Sequence, residues 1–222
     1  MCGGEGSRLE SPHEKPLHPI EGVPMIDRVC AALADSRVGT IYAAVSPSAP
    51  ETRAYLEGDG TSTPEDDVTC HLEGDETSTP ERAGVQGVTT IETAGESYVA
   101  DLLAVLEESA IDTPVLTVAA DVPLLEGIVI DRILEGHGER DASRTVCVPV
   151  SLKRRLGVSV DATLESAAHL APTGVNVVGN SDESMRSIHY DPRLAVNVNR
   201  RTDARVAANY LQRRRSGGDP CA

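Results

Sequence analysis

Residues 2–9 of the chain read CGGEGSRL, and residues 14–17 read EKPL. The first stretch holds three glycines within four positions, so backbone N–H groups can converge on an anion without interference from Cβ atoms. Arg8 and Lys15 add two positive charges, and an arginine can hold two phosphate oxygens at once. Together the two stretches predict a loop that binds the phosphates of a nucleotide.

This loop also predicts the fold around it. It is neither a Walker loop, because GKS or GKT is missing, nor a GxGxxG loop. A phosphate-binding loop of this kind works where a buried strand delivers it to the carboxyl edge of a sheet and a helix leads away. Only Met1 and Cys2 precede Gly3. We therefore expect the first strand to be missing or truncated and the natural protein to begin upstream of Met1.

The rest of the chain alternates between two hydrophobic patterns. Short, apolar, β-branched segments predict five strands, and segments with apolar residues at helical spacing predict four helices. The predicted strands are residues 39–45, 87–93, 114–120, 144–150 and 174–178, and the predicted helices are residues 24–36, 97–108, 128–134 and 202–213. Such alternation predicts an α/β fold with a mostly parallel central sheet and helices on both faces.

The length of 222 residues predicts one domain, which we place at residues 1–213, followed by a flexible tail at 214–222. One stretch interrupts the pattern: residues 56–66 read LEGDGTSTPED, and residues 72–82 repeat them as LEGDETSTPER. Two copies are too few for a solenoid. Because Gly, Ser, Thr, Pro and acidic residues dominate here, we interpret residues 56–86 as a polar, duplicated insertion within one connection.

Composition excludes several classes of protein. The net charge of −15 would repel a nucleic-acid backbone, which argues against DNA or RNA binding. No apolar run reaches the roughly 18 residues of a membrane span, and no secretory signal opens the chain. The sequence therefore predicts a cytoplasmic globular protein. Its five cysteines are scattered without a CxxC pair, which favours free thiols over zinc ligands or disulfides.

The balance of charged residues indicates a salty environment. Only two of the 20 basic residues, Lys15 and Lys153, are lysines, and the chain has no Phe and no Trp. Dense carboxylates keep a protein surface hydrated when salt screens charge strongly. We interpret the chain as a halophile's protein. The alternative is that its composition drifted toward acidic residues without any adaptation to salt.

Two polar residues stand where strands end. Asp121 closes the apolar run TVAAD, and a carboxylate at the carboxyl edge of an open α/β sheet is well placed to bind a ligand or metal. The alternative is that Asp121 is a turn residue or a helix cap before Pro123. Asn199, in the run VNVN, is a second candidate on the metal side.

The sequence resembles a known superfamily. GGEGSRL followed by EKPL is similar to the GGxGTRx…KP signature of the nucleotidyltransferases that move an NMP unit from an NTP onto a phosphate. Further stretches resemble one branch, the archaeal adenosylcobinamide-phosphate guanylyltransferases. These stretches are Ser46-Pro47 with Pro50 and Thr52, TAGESY at 93–98 with Asp101, PTGVNVV at 172–178, and VNVN at 196–199.

The resemblance implies a reaction in which GTP and adenosylcobinamide phosphate give adenosylcobinamide-GDP and pyrophosphate. It also implies a Rossmann-like nucleotidyltransferase fold, with Mg²⁺ held by Asp121 and, less firmly, by Asn199. The acceptor is a phosphate monoester, mostly dianionic at pH 7, so it is its own nucleophile and needs no activating base. This agrees with the absence of a Ser/His/Asp or Cys/His arrangement. Positioning, cations and backbone donors can lower the barrier.

The roles of single residues follow from the same resemblance. Arg8 would hold the β- and γ-phosphates, and Lys15 would lie near the α-phosphate. The family usually has Thr where Ser7 stands, which keeps the hydroxyl. The other phosphate-binding residues would be Gly3, Gly4, Gly6 and Ser7, and the candidate nucleoside contacts are Ser46, Thr93, Gly95 and Asn176. Each of these nucleoside candidates has the alternative of being only a turn or cap residue.

Three functions remain open from the sequence. The first is the cobinamide enzyme, and the second is a molybdenum-cofactor guanylyltransferase or another relative with the same loop and fold. From a different class comes a non-catalytic GTP-binding regulator built on the same fold. The oligomeric state, including a homodimer, also stays open.

Overall fold

The computed structural model describes residues 9, 11–58, 87–107 and 111–217. The strands in this part of the chain are β1 (Pro19–Ile20), β2 (Val23–Pro24), β3 (Ile41–Val45), β4 (Val88–Glu92), β5 (Val115–Val118), β6 (Ser143–Pro149), β7 (Leu170–Val178) and β8 (Ser184–Ile188). The helices are α1 (Met25–Ala34), α2 (Pro50–Glu57), α3 (Tyr98–Glu107), α4 (Gly127–His137), α5 (Val150–Leu156), α6 (Pro192–Ala195) and α7 (Arg201–Arg215).

The strands form three ladders. β1 and β2 make a short antiparallel hairpin, and β3 and β4 pair in parallel from Ile41 opposite Val88 to Val45 opposite Glu92. The third ladder is a four-stranded sheet in the order β5-β7-β6-β8. In it β7 runs antiparallel to β5 and β6, whereas β6 and β8 are parallel. The α/β prediction is confirmed, and the direction of β7 makes this sheet a mixed one.

The core explains why the predicted helices form where they do. On α1, Met25, Ile26 and Val29 are buried at helical spacing. The largest cluster of buried side chains joins α1 and α4 to β5, β6 and β7. A smaller cluster joins Ala43 and Val45 of β3 to Ala120, the residue before Asp121. The ends of β3 and β5 are therefore held together by apolar contact.

A cavity of about 490 Å³ lies between these same elements. Side chains of α1, β3, α3 and β5 line it, and most of them are apolar. Within the described ranges, β3 belongs to a ladder with β4, and β5 belongs to a ladder with β7. No described strand joins the two ladders. The expectation of an upstream first strand stays a prediction.

The boundaries of the insertion and of the tail need correction. Leu56 and Glu57, which we predicted in the insertion, form the end of α2, and β4 begins at Val88. The duplicated segment thus connects α2 to β4, and most of it, residues 59–86, lies outside the described residues. Arg214 and Arg215, which we predicted in the tail, belong to the last turn of α7. No helix in the described part of the chain is long and apolar enough to cross a membrane.

Candidate active site

Asp121 lies three residues beyond the carboxyl end of β5. Its backbone carbonyl accepts a hydrogen bond from the Val198 N–H at 2.8 Å, which ties the segment 196–199 to this edge of the sheet. The tie brings Asn199 beside Asp121 although the two residues are 78 positions apart in the sequence. The arrangement matches the general position of ligand sites in open α/β sheets.

The predicted residues Lys15, Asp121 and Asn199 meet at this edge. The Lys15 Nζ atom donates to Asp121 Oδ2 at 2.7 Å and to Asn199 Oδ1 at 2.6 Å. The side chains of Lys15 and Asp121 are 19% and 17% exposed, so the ion pair is partly shielded from water. Two oxygens from distant segments thus converge on one cation.

Glu14 fixes the segment that carries Lys15. Its two carboxylate oxygens accept the backbone N–H groups of Glu51 and Thr52, at 2.9 and 2.8 Å, in the first turn of α2. These N–H groups have no partner within their own helix, and a negative charge is favourable at a helix N-terminus. Sequence analysis missed this role, because nothing local to Glu14 indicates a helix 37 residues away.

Asn197 bonds to Asp121, and Lys153 bonds to Asn197. Sequence analysis missed both residues. The Asn197 Nδ2 atom donates to Asp121 Oδ1 at 3.2 Å and to the Thr173 carbonyl at 2.8 Å. Lys153, on α5, donates to Asn197 Oδ1 at 3.0 Å and is only 3% exposed. The VNVN alternation could have indicated Asn197, because residues two apart in an extended segment share a face.

Asn199 is held by a different buried carboxylate. Asp203, in the first turn of α7, is fully buried, and its Oδ2 atom accepts the backbone N–H groups of Asn199 and Arg200 at 3.1 and 2.9 Å. Its two oxygens also accept the backbone N–H and the hydroxyl of Ser159, both at 2.8 Å. Asp203 therefore fixes the backbone that presents the Asn199 side chain.

Three of the four predicted nucleoside contacts come together at the carboxyl ends of β3 and β4. Ser46 and Thr93 follow these two strands and are both buried, and the Thr93 N–H donates to the Val45 carbonyl at 3.0 Å. Gly95 has a φ of +72°, and a Cβ atom built there would lie 2.7 Å from Ser46 Oγ. The backbone at Gly95 thus approaches Ser46 more closely than a residue with a side chain allows.

The fourth nucleoside candidate lies elsewhere. Asn176 is in the middle of β7, opposite Thr117 and Thr145, and not on the β3–β4 ladder. Because β7 is antiparallel to β5, Asn176 is two residues further from the Asp121 edge than Gly174. The structure therefore does not group it with Ser46, Thr93 and Gly95. The predicted phosphate-binding residues Gly3, Gly4, Gly6, Ser7 and Arg8 lie outside the described residues.

The donors at Asp121 suit a magnesium ion completed by its substrate. In the part of the chain that the structure describes, no three His, Cys, Asp or Glu side chains form a metal-binding group. Mg²⁺ is commonly bound by one or two carboxylates together with substrate phosphates and water. The Asp121 and Asn199 oxygens already converge on a positive charge, that of Lys15. These residues therefore fit the ion.

Comparison with known proteins supports the fold and the class of enzyme. Over 221 residues the chain is 25% identical to the adenosylcobinamide-phosphate guanylyltransferase of Methanocaldococcus jannaschii, and the alignment covers 96% of each chain. A hypothetical transferase from Thermus thermophilus superposes with a TM-score of 0.59 at 14% identity, over 92% of this chain and 96% of that one. An apo UDP-glucose pyrophosphorylase gives a TM-score of 0.59 at 12% identity, over 96% and 97% of the two chains.

The two solved structures share the fold of the chain, and the alignment with the archaeal protein spans nearly all of it. A family model, the MobA-like NTP transferase domain, matches residues 1–176. These residues include Lys15, Asp121 and the β3–β4 edge. The chain is therefore a nucleotidyltransferase that belongs to the family of MobA-like NTP transferase domains.

Proposed function

We propose that this nucleotidyltransferase transfers GMP from GTP to adenosylcobinamide phosphate. The observation that carries the transfer chemistry is the convergence of Lys15, Asp121 and Asn199, at 2.7 and 2.6 Å, on one edge of the sheet. The acceptor and the base are supported by the end-to-end similarity to the archaeal guanylyltransferase. They are also supported by the TAGESY and PTGVNVV segments.

The proposed reaction exchanges one phosphoanhydride bond for another. An oxygen of the acceptor phosphate attacks the α-phosphorus of GTP, and the bond from that phosphorus to the oxygen bridging to the β-phosphate breaks. The electron pair of the broken bond leaves with pyrophosphate. Because the acceptor oxygen is already an anion, no residue has to remove a proton from it. The protein must instead bring anions together and stabilise the departing charge.

Lys15 is the described cation best placed for this task. Its ammonium group is partly shielded, so its attraction to a phosphate is weakened less by water than that of an exposed lysine. To bind the α-phosphate, Lys15 would give up its hydrogen bonds to the Asp121 and Asn199 oxygens and donate to phosphate oxygens instead. Glu14 would hold the backbone of the segment in place while the side chain moves.

Asp121 and Asn199 would then hold Mg²⁺ through the oxygens that Lys15 releases. When bound, the ion supplies positive charge that neutralises and orients the phosphates. Arg8 and the glycine loop would bind the β- and γ-phosphates. Ser46, Thr93 and Gly95 would accept the nucleoside at the ends of β3 and β4, where a residue without a side chain would let a flat base lie against the backbone.

An acceptor assay tests the proposal. The purified chain is incubated in molar potassium chloride with GTP, Mg²⁺ and either adenosylcobinamide phosphate or molybdopterin, and the release of pyrophosphate is measured. We expect release only with adenosylcobinamide phosphate, and less of it when ATP, CTP or UTP replaces GTP. Release with molybdopterin alone would make the chain a molybdenum-cofactor guanylyltransferase. GTP binding without release from either acceptor would indicate a regulator.

We also propose that the enzyme works in an archaeal, halophilic cytoplasm. The net charge of −15 supports this, because self-repulsion reaches about 30 Å at 0.01 M salt but only about 3 Å at 1 M. Dialysis from molar potassium chloride into dilute buffer should lower the melting temperature and the activity together. A melting temperature that is independent of salt over this range would contradict the proposal.

A further inference from the structure

Lys153 is a buried cation that the proposed reaction does not use. It lies on α5 and is 3% exposed. Its Nζ atom donates to the Ala195 carbonyl at 2.7 Å and to Asn197 Oδ1 at 3.0 Å. Burial lowers the pKa of Lys153, and the nearby carboxylates of Asp121, Asp203 and Asp161 oppose that shift. Because the burial of a charged group is unfavourable, this lysine needs a structural or functional explanation.

The ammonium group determines which way the Asn197 amide faces. A lysine ammonium has three donors and no acceptor, so it can bond only to the oxygen of the amide. The Asn197 NH₂ group is thereby turned toward two acceptors, the Thr173 carbonyl at 2.8 Å and Asp121 Oδ1 at 3.2 Å. The opposite orientation would place the amide oxygen against both acceptors and the amide NH₂ against the ammonium.

The orientation of Asn197 in turn orients Asp121. With Oδ1 occupied by the Asn197 NH₂ group, the other oxygen, Oδ2, faces Lys15 Nζ and lies beside Asn199. If the amide turned over, its oxygen would repel the Asp121 carboxylate and move it from this position. A ligand held in one orientation by hydrogen bonds from its neighbours binds its metal more tightly than a mobile one.

We propose that Lys153 is a positioning residue that acts through Asn197 to aim the Asp121 carboxylate at the metal. This inference rests on the metal site in the proposed function. It assigns a role to a residue that touches neither the metal nor the nucleotide. The chain of contacts runs from Lys153 Nζ to Asn197 Oδ1, and from Asn197 Nδ2 to Asp121 Oδ1.

The direction in which one substitution changes the affinity for a divalent cation tests the proposal. Lys153→Met removes the donor and also removes a positive charge from the neighbourhood of the metal site. If Lys153 acted only through its charge, the loss of repulsion would make a divalent cation bind more tightly. If it positions Asp121 through Asn197, the cation should bind more weakly, by roughly 10-fold. Mn²⁺ alone, titrated by electron paramagnetic resonance, is the probe.

A double-mutant cycle identifies the route. Asn197→Ala should weaken Mn²⁺ binding by roughly 10-fold or more, and Lys153→Met should not weaken it further in that background, because the positioning effect passes through Asn197 and only the loss of repulsion remains. Val148→Ala is the control, since Val148 is a fully buried core residue of β6 outside this network. It should lower the unfolding midpoint without changing the Mn²⁺ affinity.

The outcomes are distinct. Each of three results would overturn the proposal. Lys153→Met could bind Mn²⁺ more tightly or unchanged, the two effects could add in the cycle, or the wild-type chain could bind no Mn²⁺. If Lys153→Met does not fold, Lys153→Gln keeps N–H donors and should bind Mn²⁺ better than Asn197→Ala; the reverse order would overturn the proposal. The titration uses neither GTP nor acceptor. A failure of GMP transfer in the acceptor assay is therefore separate from a failure here.

Discussion

The two predicted halves of the active site are built in different ways. Around Asp121, side chains bond to one another across 44 to 184 residues of sequence. Around Ser46, the side-chain hydrogen bonds between described residues are local or reach only backbone: Ser46 bonds to Ser48, and Thr93 bonds to the Val45 carbonyl. Groups locked by buried hydrogen bonds hold a catalytic geometry closely, whereas loop residues allow adjustment to a ligand.

The packing around the two halves differs in the same way as their hydrogen bonds. The side that carries Asp121 rests on the four-stranded sheet and the largest buried cluster. The side that carries Ser46 rests on the two-stranded β3–β4 ladder, and the cavity of about 490 Å³ is lined by both β3 and β5. The comparison suggests that chemistry depends on the well-packed side and that nucleoside selection depends on the more adaptable one. Four substitutions test this, from the largest expected effect to the smallest.

Asp121→Asn should have the largest effect. It removes the negative charge that pairs with Lys15 and that we propose holds the metal, but it keeps nearly the same shape, so turnover should fall by more than about 100-fold while the fold survives. Steady-state rates over a range of Mg²⁺ concentrations measure this. Asp182→Asn, at an exposed site, is the matched control and should behave as the parent does. A variant that keeps the parent's Mg²⁺ response would place the metal elsewhere.

Lys15→Met should lower turnover by about 100-fold, because it removes the cation that we propose stabilises phosphate charge. The same change frees the oxygens of Asp121 and Asn199, so Mn²⁺ should bind more tightly in the absence of nucleotide. Opposite effects on rate and metal affinity would distinguish Lys15 from a structural residue. Arg154→Met, an exposed cation on α5, serves as control. Loss of both properties would argue that Lys15 mainly supports the fold.

Gly95→Ala should weaken GTP binding by roughly 10-fold, because a Cβ atom there would lie 2.7 Å from Ser46 Oγ and would displace this neighbouring nucleoside candidate. The left-handed φ itself costs about 1–2 kcal/mol of folding stability, with or without GTP. Gly157→Ala is a close control, because Gly157 has a similar φ of +76° but nothing within 4 Å of a built Cβ. KM for GTP should rise only for the first variant. Equal KM values would remove Gly95 from the nucleoside site.

Ala44→Val should have the smallest effect, a gain of about 1 kcal/mol in the free energy of unfolding. Ala44 is buried on β3 and lines the cavity, so two added methyl groups would enter apolar space, and valine suits a strand. Chemical denaturation measures the change. Destabilisation instead would mean that the cavity is filled in solution, and the Ser46 side would then be as tightly packed as the Asp121 side.

Much of the site could be predicted because its residues follow local patterns. Asp121, Ser46 and Thr93 each come after an apolar strand, and parallel strands bring their carboxyl ends to one edge. The prediction that Asp121 and Asn199 lie on the same side of the site is consistent with their shared contact to Lys15. Asn176 shows the limit of this reasoning, because its strand, β7, runs in the opposite direction.

By itself, the sequence determined the alternation of strands and helices and the positions of most strand ends, since these depend on hydrophobic spacing within a few residues. Only the tertiary structure decided the direction of β7 and the long-range contacts of Glu14, Asn197 and Lys153. In the run KRR at 153–155, one lysine is buried and two arginines are exposed. Their sequence context is the same, and what separates them is which face of α5 packs against Ala195 and Asn197, a contact between segments more than 40 residues apart.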